Sequence, residues 1–108
     1  MISVQLKFGD VVLLKFPHSD GVNYSKRPAL TIADTGDGDV ILCRITSKSH
    51  KSEYDLEIRP STMNGLMLDS IIRVHKIATI EKNRIDRKLG GLDSILAEKV
   101  KTIFRILV

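Results

Sequence analysis

The chain has 108 residues, 43% hydrophobic and 28% charged, which suits a single domain over residues 1–108 with its own core rather than a disordered segment. Seventeen Lys and Arg against 13 Asp and Glu leave a formal charge of +4, a mild excess that favours a polyanionic partner. No apolar run approaches the roughly 20 residues of a membrane span, "MISVQLKFGD" does not read as an export signal, and one cysteine excludes an internal disulfide, so a cytoplasmic protein is expected.

Gly9 and Asp10 open "VVLLKF", Val11 to Phe16, which is apolar on both faces and has the composition of a strand. "PHSDGVNYSKR", Pro17 to Arg27, is rich in turn formers and is expected to be an eleven-residue loop, long enough to be functional. Pro28 fixes its own φ and pushes its predecessor toward extended backbone. Arg27 is therefore expected at the rigid lip of a second strand, "PALTIA". "DTGDGD", Asp34 to Asp39, reads as a tight turn, with "VILCRIT" pairing back as the third strand.

"YDLEI" alternates as a half-buried strand should. "SIIRVHKIATI", Ser70 to Ile80, reads as a long strand whose apolar phase slips between Val74 and Ile77, predicting a bend or bulge. After "LGG", Asp93 is a candidate helix N-cap. Leu92, Ile95, Leu96, Val100, Ile103, Phe104 and Leu107 then form one apolar stripe of an amphipathic helix. Five or so short strands and a C-terminal helix predict a mainly β fold, a small, strongly bent barrel with a helix packed on it.

No phosphate-binding glycine loop is present. His18, His50 and His75 lack metal-ligand spacing, so no metal site and no cofactor is expected. Cys43 falls inside a strand and reads as a small buried apolar residue. Asp34, Asp37 and Asp39 lack the ligand pattern of a calcium loop. What remains is a set of polar residues at strand ends: Arg27, then Thr46, Ser47 and Lys48, then Arg73 and His75. Arg73 and His75, two apart on one strand, point to the same side. Together these are either an anion site or a solvated face.

"GDVVLLKFPHSD", "KRPALTIA", "VILCRITSK", "GLMLDSIIRVHKIATIEKNRI" and "KLGGLDSILAEKVKTIFRIL", in this order from Gly9 to Leu107, resemble the PemK/MazF family of type II toxin–antitoxin ribonucleases, in its PemK-like branch. The resemblance implies an SH3-like β-barrel with a C-terminal helix, usually a homodimer. It implies a sequence-specific endoribonuclease, an mRNA interferase that cleaves single-stranded RNA without a metal, inhibits translation and growth, and is silenced by a cognate antitoxin. The family's catalytic Arg and Thr land on Arg27 and Thr46. Another branch uses an Arg-x-Asp pair, which lands on Arg73 and His75, so His stands where Asp is common. The Glu-Gln pair that many relatives carry in the first loop is replaced by "DGVNYS".

In the mechanism so implied, the 2′-hydroxyl attacks the adjacent phosphorus, leaving a 2′,3′-cyclic phosphate and a 5′-hydroxyl. The step needs a base, donors for the phosphorane charge and an acid for the leaving oxygen. Arg27 suits the phosphorane oxygens, with Thr46 as a hydroxyl donor and Ser47 beside it. Arginine is a poor base near neutrality, whereas His75 titrates in the right range and is expected to share the proton transfer. Lys26, Lys48 and Arg73 are the expected phosphate contacts and Tyr24 a ring on which a base can stack. The competing reading is a non-catalytic SH3-like module, either a nucleic-acid adaptor or a toxin directed at a protein.

Overall fold

The computed structural model describes residues 5–108, in which alternating apolar and polar side chains build strands β1 (Asp10–Pro17), β2 (Tyr24–Asp34), β3 (Asp39–Thr46), β4 (Asp55–Ile58), β5 (Ser70–Glu81) and β6 (Ile85–Gly91). A single 3-10 turn, Lys82–Arg84, joins β5 to β6, and helix α1 (Ser94–Leu107) follows. The strands form one antiparallel sheet in the order β4-β5-β3-β2-β1-β6. Its end strands β4 and β6 do not pair, so the expected barrel is an open sheet. The sheet curls nonetheless, because Ile58 of β4, Val11 of β1 and Leu89 of β6 belong to one apolar cluster.

Strict alternation along β1 divides the core in two. Val11 joins Leu30, Cys43, Ile45, Ile72 and Val74 under α1, while Val12 and Leu14 join Ala29, Val40, Leu42 and Ile85 on the other side. Each fully buried aliphatic side chain stabilises the fold by about 1.5–3 kcal/mol. In α1 the Asp93 carboxylate accepts a hydrogen bond from the Leu96 amide at 2.8 Å, satisfying a first-turn donor as expected of an N-cap. Val100 and Ile103 are buried, but Ile95 is 72% exposed and Leu107 36%. The seated stripe is narrower than the sequence pattern.

The first hairpin differs from expectation. β1 runs to Pro17 and β2 starts at Tyr24, taking in the four residues "YSKR" before "PALTIA", so the connection is only residues 18–23. The His18 amide donates to the Asn23 carbonyl at 2.8 Å, and the Asp20 carboxylate accepts from the Val22 and Asn23 amides. Arg27 therefore lies inside a strand, opposite Leu14, and not at its lip. Pro28 is tolerated there because the β2–β3 ladder begins only at Ala29↔Arg44.

β5 bends where the apolar phase slips. Cys43 pairs with Ile77 but Arg44 pairs with Arg73, so Val74, His75 and Lys76 have no partner on β3. The Val74 amide turns instead to the Tyr54 carbonyl at 3.0 Å. β6 was not anticipated, because Asp86, Arg87 and Lys88 interrupt its apolar alternation. It is pinned by close backbone approach: Gly65 at φ +70 packs on the Leu89 carbonyl and Gly90 on the Met63 carbonyl, leaving no room for a Cβ at either position. Asn64, 6% exposed, ties this loop together by donating to the Arg59 carbonyl and accepting from the Ser61 and Leu66 amides.

Candidate nucleic-acid interface

β2 and β3 pair only as far as Ala29↔Arg44, although both continue beyond it. Continuing that register by two residues along each strand sets Arg27 opposite Thr46, with both side chains on the face that carries Arg44. Where the ladder stops, a hollow of about 1120 Å³ opens, lined by Arg27, Arg44, Thr46, Ser47, Lys48 and His50 and walled by the loop through Gly65–Leu68. Lys26, Lys76 and Arg87 add further cations to its lining. A concave site lined by this many cations, of which Lys26 and Arg87 share the Asp86 carboxylate, keeps a positive surplus that suits an anion.

Arg27 is exposed, with its guanidinium 5.7 Å from the centre of the Phe16 ring, a cation–π contact that orients the fork without neutralising it. Among the described residues it makes no ion pair. Thr46 Oγ1 accepts from the Lys48 amide at 3.1 Å, which leaves the hydroxyl proton available to a ligand. Ser47 and Lys48 follow on the exposed turn out of β3. The hollow thus brings together Arg27, Thr46, Ser47, Lys26 and Lys48.

Arg73, His75 and Tyr24 do not line it. Arg73 Nε donates to Asp55 Oδ1 at 2.9 Å, with the Asp55 side chain only 3% exposed, and Ser52 donates to Oδ2 of the same carboxylate at 2.8 Å. Burial opposes ionisation of Asp55, but the hydrogen bonds from Arg73 and Ser52 and the charge of Arg73 outweigh it and hold its pKa low. His75 does share a side with Arg73, Nε2 to Nη2 at 3.4 Å, and its ring tilts on Tyr54 at 5.2 Å. Burial first, then the Arg73 charge, push the His75 pKa below its ordinary value, so the ring is neutral at pH 7. Its Nδ1 is buried with no hydrogen-bond partner among the described residues. Tyr24 lies on the reverse face of β2, its ring 6.0 Å from Lys26 Nζ.

The residues left unassigned from sequence behave as structural parts. Cys43 is 1% exposed and burial pushes its thiol up to about 12, which removes it as a nucleophile. Asp34 pairs with Lys82 at 2.7 Å and accepts from the Leu6 amide, while Asp37 holds Thr35 and the Asp39 amide within the turn. Among the described residues no group of three or more His, Cys, Asp or Glu stands close enough to hold a metal ion. Sequence reasoning missed Arg44, His50, Lys76 and Arg87 as lining residues. For Arg44 a signal existed, since Arg44 and Thr46 alternate in "CRITSK".

Comparison with known proteins adds a second line. A family profile described as PemK-like, MazF-like toxin of type II toxin-antitoxin system matches residues 7–108. No curated protein sequence matches significantly. Among solved structures, the MazE-MazF complex (Form-II) from Deinococcus radiodurans superposes with a TM-score of 0.74 at 17% identity, covering 97% of this chain and 97% of that one. An endoribonuclease in complex with its cognate antitoxin, from a mycobacterial species, gives 0.73 at 18% identity, with 94% and 92% covered. Mycobacterium tuberculosis toxin MazF-mt6 gives 0.62 at 19%, with 87% and 96% covered. Identities this low establish likeness of fold.

Proposed function

The chain belongs to the PemK-like, MazF-like family of toxins of type II toxin–antitoxin systems, a family in general of endoribonucleases, and from that premise we propose that it cleaves single-stranded RNA at the hollow between β2 and β3. The observation that carries this reading is that Arg27 and Thr46 line one cationic hollow where the β2–β3 ladder stops. The RNA's own 2′-hydroxyl attacks the neighbouring phosphorus and the 5′-oxygen leaves, giving 2′,3′-cyclic phosphate and 5′-hydroxyl ends. Negative charge builds on the non-bridging oxygens as the phosphorane forms, and the Arg27 fork and the Thr46 hydroxyl donate to them, with Ser47 beside. Lys26 and Lys48 hold flanking phosphates.

Proton transfer is the step arginine serves poorly. His18 and His50 both line the hollow, and we assign the proton transfer to His50, which follows Thr46, Ser47 and Lys48 on the turn out of β3. His75 does not line the hollow, and its ring, neutral and packed on Tyr54 and Arg73, is left out of the proton transfer. The chemistry requires no metal ion, since substrate hydroxyl, guanidinium and hydroxyl supply nucleophile and charge stabilisation.

By extension from the relatives solved with antitoxins, the partner is a cognate antitoxin whose acidic segment complements the +4 chain. A homodimer fits the exposed Met67, at 91%, and Leu68, at 63%, on the rim of the hollow. No helix among the described residues is long and apolar enough to cross a membrane, and we assign the protein to the cytoplasm. Incubation with a long single-stranded RNA in EDTA, followed by end-mapping, tests the reading. Discrete cuts with cyclic-phosphate ends are expected; bound but intact RNA would reassign the chain as an adaptor, and RNA neither cut nor bound would point to a protein target.

A further inference from the structure

β6 carries two residues that β1 does not pair, Leu89 and Asp86. Leu13 stands opposite Arg87 and Leu14 opposite Ile85, so Asp86 is the extra residue of a bulge, and a bulge re-aims a side chain out of regular alternation. Three cations meet its carboxylate: Lys26 Nζ at 3.3 Å, Lys15 Nζ at 3.6 Å and Arg87 Nε at 4.0 Å. Lys15 and Lys26 are direct cross-strand partners, an arrangement in which like charges repel unless an anion lies between them. The hydrogen bond from Lys26, aided by its charge and that of Lys15 against some burial, holds the Asp86 carboxyl below the usual range. The Tyr24 ring, 54% exposed, lies 5.5 Å from Lys15 Nζ and 6.0 Å from Lys26 Nζ.

One carboxylate against three cations leaves a positive surplus beside an open aromatic face. The cluster is continuous with the hollow, because Lys26 and Arg87 line it while Lys15 and Tyr24 lie beyond. Resting on the ribonuclease reading, the geometry points to a second station for the RNA outside the cleavage hollow: Lys15, Lys26 and Arg87 take a phosphate flanking the cut, Tyr24 stacks its base, and Asp86 is the competitor that the phosphate displaces. Phosphodiester and carboxylate carry the same single charge, so the exchange leaves the cations satisfied in both states. In the free protein Asp86 keeps the two lysines together; in the complex it is the one repulsive group against the strand. An acidic polypeptide would use the cations but leave the ring idle, whereas a single strand alternates phosphates with stackable bases.

The test is binding of a 2′-O-methyl RNA strand of about twelve nucleotides, which lacks the attacking hydroxyl, followed by fluorescence anisotropy across a salt series. Asp86→Asn is expected to tighten binding by about threefold to tenfold at low salt. Asp86→Ser should move it in the same direction without an amide donor. The double variant Lys15→Gln/Arg87→Gln is expected to weaken binding about tenfold and flatten the log–log salt slope by about 0.7, the share of the one phosphate the cluster holds. Lys101→Gln on α1 should change neither. Unchanged RNA binding in folded Asp86→Asn and Asp86→Ser overturns the proposal. So does tighter binding of polyglutamate by these variants with RNA unaffected, which reassigns the surface to an acidic protein. A failure of the ribonuclease reading shows separately, as 2′-hydroxyl RNA that binds and stays intact.

Discussion

Arg27 and Arg73 are the same residue type on strands of the same sheet, yet they are placed for different work. Arg73 is met by a carboxylate that is 3% exposed, and the pair, with Ser52, Tyr54 and His75 around it, is a closed electrostatic unit. Its charge is spent within the fold. Arg27 touches only an aromatic face and, among the described residues, no carboxylate. The ladder ends beside it and leaves Thr46, Lys48 and His50 facing the same open volume. What makes an arginine available to a ligand is thus less its strand than whether the local pairing has already neutralised it.

Four substitutions break or sharpen that contrast. Arg27→Ala should lower RNA cleavage by about 100-fold or more with an unchanged melting temperature, because only charge stabilisation of the phosphorane is lost; cleavage within tenfold of wild type would refute the role given to it. Arg73→Ala should act on the other quantity. With Asp55 left buried and unpaired, stability falls by about 2 kcal/mol in urea unfolding, and a variant as stable as wild type would show that the closed unit does not hold the fold. Thr46→Val keeps the shape but removes the hydroxyl donor and the acceptor of the Lys48 amide, so cleavage should fall about tenfold while stability falls by no more than about 1 kcal/mol, the worth of one hydrogen bond. His75→Ala should leave cleavage within about threefold at pH 7.5, and a larger loss would return His75 to the chemistry.

Acid sharpens the contrast further. The folded-state pKa of His75 lies below its unfolded value of about 6.5. The unfolded chain therefore binds the proton first, and stability falls as pH drops through and below that value. His75→Gln should remove this component from a stability–pH profile while the lower-pH loss due to Asp34 and Asp55 persists, since both carboxyls are depressed and their contribution disappears only as they protonate.

Much of the fold was readable. β3, β4 and β5 fall where alternation put them, the turn through Gly36 and Gly38 has the positive φ its glycines imply, and the slip between Val74 and Ile77 marks a real bulge. The N-cap at Asp93 follows from the same local chemistry. Three features escaped. β6 is polar because it is an edge strand, and its apolar anchors are single residues, Ile85 and Leu89. The first loop is shorter because "YSKR", polar by composition, pairs with β1. The stripe of α1 is wider in sequence than the surface that receives it.

Local periodicity and backbone preference are properties of neighbouring residues, so the chain alone determined β3, β4 and β5, the turn through Gly36 and Gly38, the capped helix and the mild positive charge. Which cation stays free is a property of residues far apart in sequence: Asp55 meets Arg73 across 18 positions and Asp86 meets Lys26 across 60. Those pairings depend on strand order, register and the bulge at Asp86 in β6, which have no local signature. Only the assembled sheet decided that Arg27 would face an open hollow while Arg73 would not.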